Sequence, residues 1–157
     1  VRNDIITASD VRLAASKTVI LKRWIFKSEM AFYIQSVDSG FYLDVKGEHE
    51  AEGAEVIMYA FHGKRNQQWK YSNGMIFSKL NNFVLDVGMN DKIIMVEPNG
   101  TEKQKWYFDD DFTIRNEQGM VLDIPKGSKE AGTPVIAFKK HGGPNQKFRI
   151  VPINKIK

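Results

Sequence analysis

Short apolar runs of five or six residues alternate with polar turn residues along most of the chain. YIQSV (33–37), FYLDV (41–45) and VIMYAF (56–61) are examples, rich in β-branched and aromatic side chains. Runs of this length and composition are typical of β-strands. Turn-forming residues separate them, as in Asp38-Ser39-Gly40 between the first two runs. The pattern predicts an all-β body over residues 31–152.

The strand pattern occurs three times in the same order. Each copy contains Leu-Asp-Val/Ile and, 20 or 25 residues after its Asp, an aromatic residue that ends a Gln-x-aromatic motif. The copies of these two motifs are FYLDV (41–45), FVLDV (83–87) and MVLDI (120–124), then NQQW (66–69), KQKW (103–106) and NQKF (145–148). Repeats of about 40 residues predict three lobes, 31–74, 75–110 and 111–152. Four short strands cannot bury both their faces, whereas three lobes around a pseudo-threefold axis can close a barrel.

The chain flanks lie outside the repeat. Residues 1–30 are interpreted as an N-terminal extension or linker, either from an upstream domain or as a strap across the body. Apolar spacing permits one helix there, with Thr7 and Asp10 as a capping box, but TVILKRWIF (18–26) suits a strand equally well. Both alternatives stay open. Residues 153–157 form a basic tail.

The net charge of +4 is concentrated in these flanks. Lys/Arg minus Asp/Glu gives +3 for residues 1–30, −1 for 31–152 and +2 for 153–157. A phosphate-binding surface needs clustered Lys and Arg on the folded body, so nucleic-acid binding is not expected. The chain has no cysteine, which excludes disulfides and thiolate metal sites and favours a cytoplasmic location, although the compartment stays open. No apolar run could span a membrane and no signal peptide is visible.

Motifs of the common enzyme classes do not occur in this sequence. It contains neither a Gly-x-Ser-x-Gly nucleophile motif nor a Gly-rich phosphate loop. The three histidines, His49, His62 and His141, have no metal-ligand spacing. Asp109-Asp110-Asp111 is interpreted as a solvated turn, with calcium binding as the alternative. We therefore expect no catalytic activity, cofactor or metal.

The three copies of Leu-Asp-Val/Ile, a following aromatic residue and Gln-x-Trp resemble the ricin B-type β-trefoil lectin family. The resemblance covers about 120 of the 157 residues. It implies a β-trefoil in which Trp69, Trp106 and Phe148 are buried at threefold-equivalent positions. It also implies a carbohydrate-binding module that favours galactose or N-acetylgalactosamine glycans.

The same resemblance implies sugar sites in the first and third lobes. In this family the Asp accepts sugar hydroxyls, an aromatic residue about 15 positions later stacks on the sugar, and the Asn beside the motif Gln adds a hydrogen bond. The Gln itself orients the loop. The matching residues are Asp44, Tyr59, Asn66 and Gln67 in the first lobe and Asp123, Phe138, Asn145 and Gln146 in the third.

The second lobe departs from this pattern. Asp86 is present, but Val96 and Lys103 stand at the aromatic and Asn positions, and the loop after the Asp is five residues shorter. We expect this lobe to be degenerate. His62 and His141 each follow the candidate ring by three residues and are expected in surface loops at the site rims.

A purely structural interpretation is also open. The Asp residues could cap turns, Tyr59 and Phe138 could belong to the core, and the Asn-Gln pairs could satisfy loop backbone groups. The alternative function is then a β-trefoil protein–protein interaction module that has lost sugar binding.

Overall fold

Thirteen short β-strands, joined by turns, make up the part of the chain that the structure describes, residues 31–153 of a computed structural model. The predicted N-terminal extension (1–30) and nearly all of the basic tail lie outside the described residues. Within residues 31–153 the only helical segments are single 3-10 turns, so no helix there is long and apolar enough to cross a membrane. The strands are β1 (Phe32–Ser36), β2 (Tyr42–Val45), β3 (Ala54–Tyr59), β4 (Trp69–Ser72), β5 (Met75–Ser78), β6 (Val84–Val87), β7 (Ile93–Val96), β8 (Trp106–Phe108), β9 (Ile114–Asn116), β10 (Met120–Asp123), β11 (Thr133–Pro134), β12 (Ile136–Lys139) and β13 (Phe148–Pro152).

The first and last strands of each lobe form a barrel. β1 pairs with β13 along its whole length, which joins the two ends of the described chain, and β4–β5 and β8–β9 pair between lobes. Backbone bonds complete the ring: Trp106 N donates to Gly74 O (2.8 Å) and Phe148 N to Phe112 O (2.8 Å). Closure leaves the barrel strands without a long free edge.

The two middle strand positions of each lobe form a hairpin that caps one end of the barrel. These hairpins are β2–β3, β6–β7 and β10–β12. Each contacts its neighbour: β3 pairs with β7, β11 pairs with β3, and Lys92 bridges to Ile136 in β12. Barrel and cap together make a β-trefoil, so the predicted all-β fold with three lobes is confirmed.

The core contains the aromatic residues of the three Gln-x-aromatic motifs. Trp69 and Trp106 are fully buried and Phe148 is nearly so, as predicted. The Trp69 and Trp106 Nε1–H groups donate to the Leu43 and Leu85 carbonyls at 3.2 and 3.1 Å. These matched bonds place the two indoles at equivalent points of their lobes. Phe148 keeps the ring in the third lobe without the N–H donor.

Candidate functional site

A buried Asp–Gln pair occurs in every lobe at the base of the capping hairpin. One amide hydrogen of each Gln reaches the Asp carboxylate and the other reaches a backbone carbonyl. The Gln Oε1 accepts backbone N–H groups of the loop that follows the hairpin. The Nε2–Oδ2 distances are 2.9 Å for Gln67–Asp44, 3.0 Å for Gln104–Asp86 and 2.8 Å for Gln146–Asp123.

This pair fixes the carboxylate and the loop rather than presenting the Gln to solvent. Gln67, Gln104 and Gln146 are each 0% exposed. The supporting role expected for Gln67 and Gln146 therefore matches their contacts, and neither amide faces a ligand directly. Because the second lobe has the same pair, this arrangement belongs to the fold of all three lobes.

The first lobe carries an open cleft of about 400 Å³. Three of the predicted site residues line it: Asp44, Tyr59 and Asn66. The turn at 46–48 forms a wall from the same lobe, and Gly132 comes from the third lobe. The structure thus brings residues far apart in the sequence to one concave surface, the usual shape of a small-molecule site.

The two candidate stacking rings lie at the surface. Tyr59 is 43% exposed and Phe138 is 42% exposed. Tyr59 is two residues beyond Ile57, which is opposite Asp44 in the β2–β3 register, so ring and carboxylate share one face of the hairpin. Phe138 has the same relation to Asp123 through Ile136. The interpretation that placed these rings in the core is therefore wrong.

Both amide hydrogens of Asn66 are used inside the protein, so this predicted site residue is not free to donate to a sugar. Its Nδ2 donates to Asp44 Oδ1 (3.2 Å) and to Val45 O (3.0 Å), so both amide hydrogens are used. The reversed amide would set two oxygens against its Oδ1, so these contacts fix the orientation. The side chain is 3% exposed, and Oδ1 has no hydrogen-bond partner among the described residues. This oxygen is buried as well and is not open to the cleft.

The equivalent Asn145 in the third lobe is only partly buried. Its Nδ2 donates to Ile124 O at 3.0 Å, the bond that Asn66 makes with Val45. The predicted third-lobe set Asp123, Phe138 and Asn145 thus occupies the same positions of the lobe.

Asp44 is a buried carboxylate with three side-chain donors around it. Burial raises the pKa of Asp44 above its usual range, and the hydrogen bonds from Gln67, His62 and Asn66 oppose that rise. The ionised form accepts hydrogen bonds without donating any. The carboxylate is therefore held ready for hydroxyl donors, at the cost of burying a charge.

His62 lies in an exposed loop and also lines the cleft. Its Nδ1 accepts the Lys64 N–H (3.0 Å), so the proton of the neutral ring is on Nε2, which is 3.1 Å from Asp44 Oδ2. His141 repeats this geometry more loosely. Its Nδ1 accepts the Gly143 N–H (3.0 Å), and its Nε2 lies 3.6 Å from Asp123 Oδ2. The shared spacing of three residues after the ring was the available signal.

The second lobe keeps Asp86 and Gln104 but has none of the other groups. Val96, Asn99 and Lys103 stand where the first lobe has Tyr59, His62 and Asn66. The carboxylate of Glu52, which belongs to the first lobe, accepts the Glu97 N–H (2.8 Å) beside the end of β7.

The acidic run at 109–111 pairs with basic side chains of the chain itself. Asp109 accepts from Arg115 Nε at 2.8 Å, and Asp111 forms an ion pair with Lys140. Across residues 31–153, no group of three or more His, Asp or Glu side chains is arranged to hold a metal ion. These contacts fit the solvated-turn interpretation.

Comparisons with known proteins agree with the geometry. A family model described as ricin-type beta-trefoil lectin domain matches residues 30–148. Among curated proteins no relative matches this chain.

Several solved structures are similar to this chain. The C-half of an earthworm R-type lectin, in complex with GalNAc, has 36% identity and a TM-score of 0.73, covering 78% of this chain and 98% of that one. A mutant of the earthworm lectin C-terminal domain, in complex with 6'-sialyllactose, has 33% identity and a TM-score of 0.70 over 78% and 98% of the two chains. The designed threefold-symmetric protein ThreeFoil has 28% identity and a TM-score of 0.71 over 78% and 99%.

Proposed function

This chain belongs to the ricin-type β-trefoil lectin domain family, and from this premise we propose that it binds glycans without catalysis through sites in the first and third lobes. The family supports carbohydrate binding in general. The assignment of sites to particular lobes rests on the side-chain arrangement described above.

The observation that carries the proposal is the first-lobe cleft. An exposed ring, Tyr59, and a buried carboxylate, Asp44, line it together, and Asn66 donates to that carboxylate. A pyranose has an apolar C–H face and a rim of hydroxyl donors. The face stacks on Tyr59, and the hydroxyls donate to the Asp44 carboxylate. Hydrogen bonds to an ionised group are the stronger and orienting ones.

The third lobe offers the same chemistry with small differences. Phe138 supplies the flat face, Asp123 the charged acceptor, and Asn145 an amide at the site rim. The second lobe has neither a ring nor an Asn at these positions, and we assign it a structural role.

Galactose and N-acetylgalactosamine are the sugars we favour. The support is the similarity to an earthworm lectin solved with GalNAc, at 36% identity. A glycan array with the purified chain tests this choice. Binding to galactose- or GalNAc-terminated glycans is expected, with loss of signal when Asp44→Ala and Asp123→Ala are combined.

The alternative, a protein–protein interaction module, has one observation in its favour. Phe61 is 53% exposed and packs against Tyr33 and Tyr42, with ring centroids 5.0 Å apart in both pairs. A blank glycan array together with a protein partner whose binding is lost in Phe61→Ala would favour this function over sugar binding.

A further inference from the structure

Each capping hairpin borders a loop that arrives from another lobe. In the first lobe that loop is residues 125–132, which ends at Gly132 in the wall of the cleft. The Gly132 N–H donates to Met58 O (2.7 Å), one residue before the Tyr59 ring, and Thr133 pairs with Met58. The first-lobe site is therefore closed on this side by the third lobe.

The second lobe is closed in the same way. The loop at 46–53 of the first lobe ends at Gly53, whose N–H donates to Met95 O (2.8 Å), one residue before Val96. Glu52 in that loop accepts the Glu97 N–H. In both lobes, therefore, a long loop from the neighbouring lobe crosses over and covers the position of the candidate ring.

The third lobe differs because the loop that crosses to it is short. The loop that reaches it is residues 88–92 of the second lobe, the counterpart of residues 46–55, and it lacks five residues relative to them. Among the described residues it pairs with β12 through the single bridge Lys92–Ile136, where the other lobes have two paired positions.

The short loop therefore affects a different lobe from the one the sequence suggested. The second lobe keeps its own turn, Met89–Asp91, which corresponds to the turn at 46–48 beside the first-lobe cleft. The second-lobe loop lacks the segment that would cross to the third lobe. Five residues supply at most about 17 Å of extended chain, so out and back they reach roughly 8 Å, comparable to one sugar ring.

We propose that the third-lobe site accepts galactosides that carry a further sugar on the side of the 88–92 loop, whereas the first-lobe site takes terminal residues. The inference rests on the proposed function. Met89 in this short loop is 86% exposed and offers an apolar side chain to solvent. The crossing loop that ends at Gly132 occupies that space at the first site.

Single-site variants separate the two sites. Asp44→Ala leaves the third site and Asp123→Ala leaves the first. Each is titrated calorimetrically with methyl β-galactoside and with the same galactoside carrying a second sugar at O2, O3 or O6. In Asp44→Ala we expect at least one capped ligand to bind within about threefold of the uncapped one. In Asp123→Ala that ligand should bind at least about tenfold more weakly than the uncapped one, a difference of about 1.4 kcal/mol.

The proposal is overturned if both variants reject every capped ligand, or if both accept the same ones equally. If neither variant binds uncapped methyl β-galactoside, the galactose assignment fails and the inference fails with it. If both variants bind the uncapped galactoside and respond alike to the second sugar, the inference is wrong but the proposed function stands.

A loop insertion gives a second measurement. In the Asp44→Ala background, the first-lobe residues HEAEG (49–53) are inserted between Asp91 and Lys92. Binding of the capped ligand should fall about tenfold while uncapped binding stays, since the side is now covered. The matched control inserts the same five residues after Gly100, in an exposed turn of the same lobe, and should change neither. Equal effects of both insertions would contradict the assignment.

Discussion

Gln67 Nε2 lies 2.9 Å from Asp44 Oδ2, with both side chains buried, and this contact couples the fold of the first lobe to its candidate sugar site. The second amide hydrogen of Gln67 donates to Ala60 O, and its Oε1 accepts the His62 and Gly63 N–H groups. One side chain therefore positions both the carboxylate and the loop that carries His62. The same pair occurs in the second lobe, where we propose no site. Its structural and functional effects can therefore be separated.

Gln104→Ala and Gln67→Ala should both destabilise the protein. Each removes an amide that satisfies a buried carboxylate, a carbonyl and two N–H groups, so a loss of about 1–3 kcal/mol in the free energy of unfolding is expected. Chemical denaturation measures it. The exposed Gln118→Ala is the control and should stay within about 0.5 kcal/mol of the parent. Only Gln67→Ala should also weaken glycan binding, and equal binding losses from both would contradict the lobe assignment.

Asp44→Asn should weaken binding at the first site while leaving the protein folded. The amide keeps the shape but loses the charge that orients sugar hydroxyls. Hydrogen bonds to charged groups are worth about 1.5–3 kcal/mol, so affinity should fall roughly 10- to 100-fold. Calorimetric titration in an Asp123→Ala background isolates the site, and a melting curve checks folding. A folded variant with unchanged affinity would place the binding surface elsewhere.

The first site should lose its ligand on acidification at a higher pH than an ordinary Asp would. Burial raises the pKa of Asp44 above 3.8, and hydroxyl binding needs the ionised form. Affinity should therefore fall as the pH drops through this raised pKa, measured by titration of the Asp123→Ala variant. Asp44→Asn removes this carboxyl, so any pH dependence of its residual binding reports on other groups.

The stability of the protein should respond to the same group with the opposite sign. Between 3.8 and the raised pKa of Asp44, the folded state holds more protons than the unfolded state. The contribution of Asp44 to the free energy of unfolding therefore decreases as the pH rises through that window. Relative to Asp44→Asn, the parent should therefore lose stability as the pH rises from 3.8 through the raised pKa, as denaturation curves at several pH values can measure. A parent that gains stability over this range would show that the pKa of Asp44 is lowered.

The candidate rings should contribute to binding and little to stability. Tyr59→Ala and Phe138→Ala remove stacking surface, and a loss of about 1 kcal/mol per site, roughly fivefold in affinity, is expected. Val96→Ala, at the equivalent strand end of the second lobe, is the matched control and should leave binding unchanged. Glycan titration and melting temperature together test this pair. A binding loss in Val96→Ala equal to that in Tyr59→Ala would show that the second lobe also binds.

The strands, the three-lobed fold and most of the candidate site residues could be predicted from the sequence alone. Strand periodicity and turn residues are local signals, and their threefold recurrence made each copy a check on the others. That is why the burial of Trp69 and Trp106 and the pairing of Asp44 with Tyr59 on one surface were predictable. The comparison between lobes also separated the Asp–Gln pair, present in all three, from the ring and the Asn, which the second lobe lacks.

Hydrogen-bond roles and contacts between lobes involve partners distant in the sequence, so they could be read only from the three-dimensional structure. Asn66 is not free to donate to a ligand because Asp44 and Val45 accept both of its amide hydrogens. The Lys64 N–H donates to His62 Nδ1, which leaves the proton on Nε2, the ring nitrogen that faces the Asp44 carboxylate. Gly132 of the third lobe lines the first-lobe cleft, and the short loop after Asp86 pairs with β12 through a single bridge. A residue pattern shows which polar groups are present. Which of their hydrogen-bonding atoms stay unused, and which lobe each group contacts, depends on contacts between residues distant in the sequence.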